Sequence, residues 1–473
     1  MIVHDSSKTK IIATIGPATS SKEKIKDLIR SGIDVCRINF SHGTQSDHKK
    51  VIQNIRDANA ELATNVCILA DLQGPKIRLG TITEAGVIIK EGDHVVFSTD
   101  KDPAKGKIPV KYPPFARDVK KDDSILIDDG KVRLRAVSTD LESEVTAVVL
   151  NGGPLFSNKG INLPDTKVSI PGLTEKDRKD IEFILAHDLD WIALSFVRSA
   201  NDIMELKKVL EERGKDILII AKIEKPEALY EINRIIEISD GVMIARGDLG
   251  VEVSYDRVPL IQKQIVQKCI IKAKPVIVAT QMLESMMVNV QPTRAEANDV
   301  ANAVFDSADT VMLSGETSVG RYPVESIRAM QKIIDSSEGT DFVHTHQHLP
   351  QPGTKNFISD SLCFNACKLA DQSGAKAIVS FTEKPEIAFQ ISSYRPHAPI
   401  YIFTPNKKTL QQLAIVWGVR PFLIEAEQAA DDQHSINFLK NKGFLKNGDI
   451  IVFLNNLPSD KNHEINSIKL INT

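Results

Sequence analysis

The chain has 473 residues, a formal net charge of −3 and 26% charged residues, enough for two to four domains of ~100–200 residues. Its charge is balanced and no long basic block occurs, which removes electrostatic support for nucleic-acid binding. The N-terminal stretch MIVHDSSKTKIIATIGPATS lacks the apolar core of a signal peptide, and no run reaches the ~18 apolar residues of a membrane span, so a soluble cytoplasmic protein is expected.

A first strand is predicted at KIIATIG (10–16), followed by a helix over SKEKIKDLIRSG (21–32), where Ile25, Leu28 and Ile29 share one face. Strands VCRINF (35–40) and CILAD (67–71) come next. Residues 75–170 then read as an all-β insertion, from the alternating runs GVIIKEGDHVVFS, DSILIDDGKVRLRAVS and SEVTAVVLNGG, with Asp129-Gly130 as a hairpin turn. Five further β-branched runs follow: WIALSF (191–196), ILIIAKI (217–223), GVMIA (241–245), PVIVAT (275–280) and TVMLS (310–314). Helices are predicted between them over 226–239 and 292–306, each with a proline in its first turn. Eight strands rich in apolar residues, alternating with helices, predict an α/β fold: a (β/α)8 TIM barrel of parallel strands buried on both faces.

The barrel is assigned to residues 1–74 and 171–343, the β-rich lid to 75–170, and a C-terminal open α/β domain to 354–473. The intervening link, with its three histidines, reads as a solvated connection rather than a metal site. Cys363 and Cys367 share a helix face and read as buried small hydrophobes; five scattered cysteines make no disulfide framework.

Barrel active sites lie at the C-terminal strand ends. Those ends carry Arg37, Asn39, Ser41 and His42 (second strand), Asp71 (third), Ser195 (fourth), Lys222 and Glu224 (fifth), Arg246, Gly247 and Asp248 (sixth), Thr280 and Gln281 (seventh), and Ser314, Gly315 and Glu316 (eighth). Glu224 and Asp248, from adjacent strands, can share one Mg2+, which takes one or two protein carboxylates and leaves its other positions to water and substrate oxygens. Lys222 lies two residues before Glu224 and points to the same side. Arg37 offers a planar donor for phosphate or carboxylate. No P-loop, G-x-G-x-x-G or H-R-D motif occurs, so a nucleotide would be held by the metal and by scattered cations such as Arg78 and Lys159 at the two ends of the insertion.

The segments TKIIATIGPAT (9–19), RINFSHG (37–43), GPKIR (74–78), NKGINLP (158–164), KIE (222–224), MIARGDLGVE (243–252), ATQMLESM (279–286), PTRAEANDVANAV (292–304) and MLSGET (312–317) resemble the pyruvate kinase family in order and over nearly the whole chain. The resemblance implies phosphoryl transfer from phosphoenolpyruvate to ADP, giving pyruvate and ATP as the last step of glycolysis, by an allosteric homotetramer. It implies Mg2+, with Mn2+ as an alternative, at Glu224 and Asp248. It places Lys222 on the transferring phosphoryl group, Arg37 on the phosphate, and the backbone of Gly247 and Asp248 with Thr280 on the carboxylate. Asn39, His42, Arg78 and Lys159 would contact the nucleotide. Water held near Thr280, Ser314 and Glu316 would serve enolate protonation; Lys222, Arg37, Thr280 and Ser314 are thus the candidate catalytic residues.

Two departures from the family pattern stand out. Where many members read GPEIR this chain has Lys76, and the potassium site of the family corresponds to Asn39, Ser41, Asp71 and the Leu72 carbonyl. Lys76 is expected to supply the second positive charge there, making potassium unnecessary. In the C-terminal domain, the place of a sugar-phosphate loop reads SFTEKPEIAF (380–389); Pro385 lacks an N–H donor and Glu383 and Glu386 repel phosphate, so activation by fructose 1,6-bisphosphate at that loop is not expected. A magnesium lyase acting on 2-oxo acids and a non-catalytic binding protein are the alternatives. The lid cations argue against the first and intact Lys222, Glu224, Asp248 and Thr280 against the second.

Overall fold

A computed structural model describes residues 7–82, 86–100, 104, 106–344, 348–425, 432–455 and 466–473. The eight apolar runs form one closed parallel barrel, with strands Lys10–Ile15, Val35–Asn39, Cys67–Asp71, Trp191–Leu194, Leu218–Ile223, Gly241–Ala245, Val276–Ala279 and Thr310–Leu313 in sequential order around the ring. Alternation along each strand sorts the side chains into two cores. Ile11, Ala13, Cys36 and Ile38 point outward to the helices. Ile12, Val35, Leu69, Ile220, Met243, Ile277 and Met312 fill the interior.

Local chemistry explains the helix boundaries. Helix Lys22–Arg30 starts on Ser21, whose hydroxyl accepts from the Lys24 N–H. Two expectations change. The 292–306 helix begins at Arg294, because Thr293 and Glu296 form a reciprocal capping box; Pro292 precedes the cap. The 226–239 segment is two helices, Pro226–Tyr230 and Ile232–Ile238. The break falls at Glu231, whose carboxylate turns aside to accept the Ala200 N–H at the start of a neighbouring helix.

The insertion leaves the barrel after the third strand and forms a six-stranded and a two-stranded sheet around its own core. One short helix, Phe115–Asp118, interrupts its β character. Asp128, Asp129 and Gly130 all adopt positive φ in the turn between antiparallel strands Ser124–Ile127 and Val132–Thr139, the expected hairpin. The entrance to the insertion passes Gly74, at φ +65°, where a Cβ would lie 2.7 Å from the Ser195 carbonyl oxygen; only glycine fits this close approach.

The C-terminal domain is a five-stranded sheet ordered Val419–Leu423, Ile400–Thr404, Ala377–Phe381, Ile450–Asn455, Ser467–Asn472, parallel except at the last pair. It closes the bottom of the barrel. Trp191 Nε1 donates to the Gln412 carbonyl at 3.1 Å, the Thr310 hydroxyl donates to the Ile415 carbonyl at 2.8 Å, and the barrel interior and this domain share one apolar cluster. Cys363 and Cys367 lie within that cluster. The link is not simply solvated: His344 stacks on His397 (centroids 3.8 Å apart) and His348 on Tyr394 (4.4 Å), burying apolar ring faces against the C-terminal domain. His346 lies outside the described residues. Among the described residues no helix is long and apolar enough to cross a membrane.

Candidate active site

The inward parity that fills the barrel with apolar side chains turns polar at its upper end. Val35 is followed on the same face by Arg37 and Asn39, Leu69 by Asp71, Ala193 by Ser195, Ile220 by Lys222 and Glu224. These residues converge into one buried network. Asp71 accepts from Arg37 Nε at 2.6 Å through Oδ2, and from Lys222 Nζ and the Ser195 hydroxyl at 3.1 and 3.2 Å through Oδ1. Lys222 also donates to the Ser195 hydroxyl at 2.7 Å and meets Glu224 Oε1 at 3.0 Å. Glu224 Oε2 accepts the Phe196 N–H at 2.7 Å. Arg37 donates onward to the Thr14 hydroxyl at 2.9 Å.

Burial opposes the charge on Lys222, but Asp71 and Glu224 outweigh it and hold its pKa above the ordinary lysine value. Burial likewise opposes ionisation of Asp71, yet Lys222 and Arg37 depress its pKa. Burial raises the Glu224 pKa, and the nearby Asp248 carboxylate adds to that rise. The Glu224 and Asp248 carboxylates thus lie close enough to repel one another, an arrangement that suits a divalent cation bound through few protein oxygens.

Lys76 is placed differently from expectation. Its ammonium lies 3.1 Å from Asp248 Oδ1 and over the Phe196 ring at 5.6 Å, rather than among Asn39, Ser41, Asp71 and Leu72. That cluster is satisfied from within: Asn39 Oδ1 accepts the Ser41 N–H at 3.0 Å, and the Leu72 carbonyl accepts the Ser195 hydroxyl at 2.8 Å. Asp248, partly exposed, is the more accessible uncompensated carboxylate, and it captures the ammonium.

Thr280 sits at φ +69°, an uncommon backbone for a β-branched residue, and Gln281 follows at φ +56°. Arg246 holds Thr280 there. One guanidinium nitrogen donates to the Thr280 carbonyl at 2.8 Å, and the group forms a bidentate pair with Asp299, both bonds 2.7 Å. The Thr280 hydroxyl accepts the Gly247 N–H at 2.7 Å, joining the seventh strand end to the Arg246–Glu252 helix that carries Asp248. Glu316 is engaged by the Leu283 and Ser314 N–H groups, while the buried Ser314 hydroxyl has no partner among the described residues.

The two lid cations are fixed within the lid. Arg78 donates to the Asn158 carbonyl at 3.1 Å, and Lys159 Nζ meets Asp128 Oδ1 at 2.8 Å. Their segments pair through the Arg78–Gly160 bridge, which brings both cations to one edge. His42 is exposed on the loop after the second strand. A cleft of about 610 Å3 runs between lid and barrel, lined among others by Lys76, Asp129, Gly247, Asp248, Tyr255 and Gln281. In the C-terminal domain the Lys384 N–H is taken by the Thr382 hydroxyl at 3.2 Å, so the 380–389 loop turns a backbone donor inward.

Sequence reasoning underrated Ser195 and Phe196, which orient Lys222 and Glu224, and missed Asp128, Asp299 and Glu252. Ser195 had a signal, its position at a strand end. The others pair across long sequence separations that no local pattern marks.

The family model for the pyruvate kinase barrel domain matches residues 6–327, and that for the pyruvate kinase alpha/beta domain matches residues 360–471. The chain is 43% identical to a pyruvate kinase of Corynebacterium glutamicum over 90% of this chain and 88% of that one. It is 41% identical to a pyruvate kinase of Staphylococcus saprophyticus and 40% identical to one of Staphylococcus aureus, each over 98% of this chain and 80% of the relative. With both domains matched and the buried lysine–carboxylate network at the barrel mouth, the chain belongs to the pyruvate kinase family of enzymes.

Proposed function

We propose that this enzyme transfers the phosphoryl group of phosphoenolpyruvate to ADP, with Mg2+ at Glu224 and Asp248, as the closing step of glycolysis and without a requirement for potassium. The observation that carries the reading is the Lys222 ammonium, buried yet held charged by Asp71 and Glu224. Three cations, Arg37, Lys76 and Lys222, face three carboxylates, Asp71, Glu224 and Asp248. A multiply charged anion entering such a balanced site needs further positive charge, and the Glu224–Asp248 pair is where a dication fits. Bound there, Mg2+ would neutralise phosphoryl and enolate oxygens.

The chain's own residues supply the rest. Phosphoryl transfer is mainly positioning and charge neutralisation. Lys222 donates to the oxygens of the transferring group, and Arg37, locked by Asp71 and Thr14, presents its remaining donors to the phosphate. Gly247, Asp248 and Thr280 receive the substrate carboxylate. The Ser314 hydroxyl, a buried donor without a partner among the described residues, holds water near Thr280 for enolate protonation. Arg78 and Lys159, with Asn39 and His42, take the nucleotide, and the lid excludes water so that the phosphoryl group reaches ADP rather than solvent.

Potassium independence rests on Lys76. Its ammonium, 3.1 Å from Asp248, adds a fixed positive charge on the metal side of the barrel mouth rather than inside the Asn39, Ser41, Asp71 and Leu72 cluster. Pyruvate formation from phosphoenolpyruvate, measured with and without ADP in sodium, potassium and tetramethylammonium salts, tests both parts. ADP-dependent pyruvate in all three salts is expected. Pyruvate without ADP would indicate a lyase, none a binding protein, and a large potassium stimulation would remove the role given to Lys76.

A further inference from the structure

The Arg246–Glu252 helix is grasped by the lid at both ends. Lys76, at the lid entrance, bonds Asp248 near its start. Asn162, on the returning lid strand Ile161–Asn162, donates through Nδ2 to Glu252 Oε1 at 2.7 Å at its end. The same oxygen of Glu252 accepts the Lys225 ammonium, and Lys225 directly follows Glu224. One carboxylate thus joins three segments: the lid strand, the helix that carries Gly247 and Asp248, and the loop that carries Glu224.

This junction is buried and incompletely satisfied. Glu252 has a side chain 1% exposed, and among the described residues both its Oε2 and the Asn162 Oδ1 are buried without a partner. A carboxylate removed from water gains from donors on every lone pair; here both donors crowd onto one oxygen. The Asn162 bond is therefore one of only two side-chain donations, among the described residues, that compensate this buried carboxylate. Asp248 and Glu252 are four residues apart, about one helical turn and ~6 Å along the axis, so both lie on one face of the short helix.

We propose that Glu252 is a positioning residue that couples lid angle to both metal-binding carboxylates: Asn162 engages it as the lid settles, and the helix and the Glu224 loop are drawn into register together. The proposal rests on the phosphoryl-transfer reading above, in which the lid brings the nucleotide to the barrel. A purely structural role predicts lost stability without selectivity between substrates. Coupling predicts an effect on the substrate carried by the lid and non-additive behaviour of the linked residues.

The test uses Asn162→Ala, Glu252→Gln and the double variant in the full chain, with steady-state kinetics for both substrates and amide hydrogen exchange in their absence. Each single variant is expected to raise KM for ADP about tenfold, the scale of one charge-assisted hydrogen bond, with a smaller rise in KM for phosphoenolpyruvate, whose binding residues the junction also positions. The double variant should be no worse than the poorer single one. Exchange should quicken together in the 246–252 helix, the residues after Glu224 and the lid strand. Multiplicative losses in the double variant, or faster exchange confined to the substituted segment, would overturn the coupling. If wild-type protein forms no pyruvate, the phosphoryl-transfer reading fails, and the exchange arm still decides the junction by itself. If Glu252→Gln does not fold, Asn162→Ala, on the lid side, carries both measurements.

Discussion

Replacing Asp71 with Asn removes the anion on which the site is assembled. Asp71 is 1% exposed and compensates two buried cations, Arg37 at 2.6 Å and Lys222 at 3.1 Å. Removing one partner of a buried ion pair strands the other charge, at a cost of about 3–5 kcal/mol, against about 0–1 kcal/mol for an exposed pair. At neutral pH Asp71→Asn should therefore lose about 3–5 kcal/mol of unfolding free energy in urea titrations followed by fluorescence of Trp191 and Trp417, both buried. The pH dependence has a defined sign. The folded pKa of Asp71 is depressed, so its stabilisation is fully present above the unfolded carboxylate value and lost as pH falls through the folded one. The gap between wild type and variant should close in acid, below the ordinary Asp range of about 4. Lys222, no longer opposed to burial by Asp71, should also lose its proton at lower pH, moving the alkaline limb of the activity profile downward. A stability loss below about 1 kcal/mol, or a gap that widens in acid, would refute the buried-hub reasoning.

Two further outcomes follow from the positions of Asp128 and Asp299. Asp128→Ala releases Lys159 from its 2.8 Å partner and should raise KM for ADP several-fold to about tenfold, leaving KM for phosphoenolpyruvate unchanged; an equal rise in both would remove the assignment of Lys159 to the nucleotide. Asp299→Asn breaks the bidentate pair that steadies Arg246 on the Thr280 carbonyl. Since small misplacements of a substrate-positioning group can cost about a hundredfold, kcat should fall by roughly ten- to a hundredfold, and a full-rate variant would show that Thr280 keeps its positive-φ geometry unaided.

The barrel was legible because each of its strands is an apolar run with β-branched residues, and a buried parallel sheet permits little else. The site was legible for a related reason. Polar residues such as Arg37, Asp71, Lys222 and Glu224 continue the inward parity of apolar neighbours, where a solvated role is hard to sustain. Capping residues and long-range partners were less readable. Thr293 displaced Pro292 from the helix because reciprocal capping with Glu296 satisfies two backbone N–H groups that proline alone cannot. Lys76 was assigned by position to one oxygen cluster, but its flexible four-carbon stem lets the ammonium choose the least compensated carboxylate, Asp248. Glu231, Asp128 and Glu252 act through Ala200, Lys159, Asn162 and Lys225, all 27 or more residues away in sequence, pairings that depend on the assembled fold. His344 and His348 looked like polar linker residues, yet their ring faces are apolar enough to dock on His397 and Tyr394.

The most direct test of the central claim is the fate of the phosphoryl group itself. Phosphoenolpyruvate labelled in its phosphate is mixed with ADP and Mg2+, quenched within a few turnovers, and the label is traced in wild type and in Lys222→Met. The account predicts label in ATP for wild type, none after chelation of the metal, and a loss of about a thousandfold in the variant, assayed below the variant's own unfolding temperature because Asp71 and Glu224 lose a buried partner. Label in inorganic phosphate instead of ATP, or transfer by Lys222→Met at the wild-type rate, would contradict it.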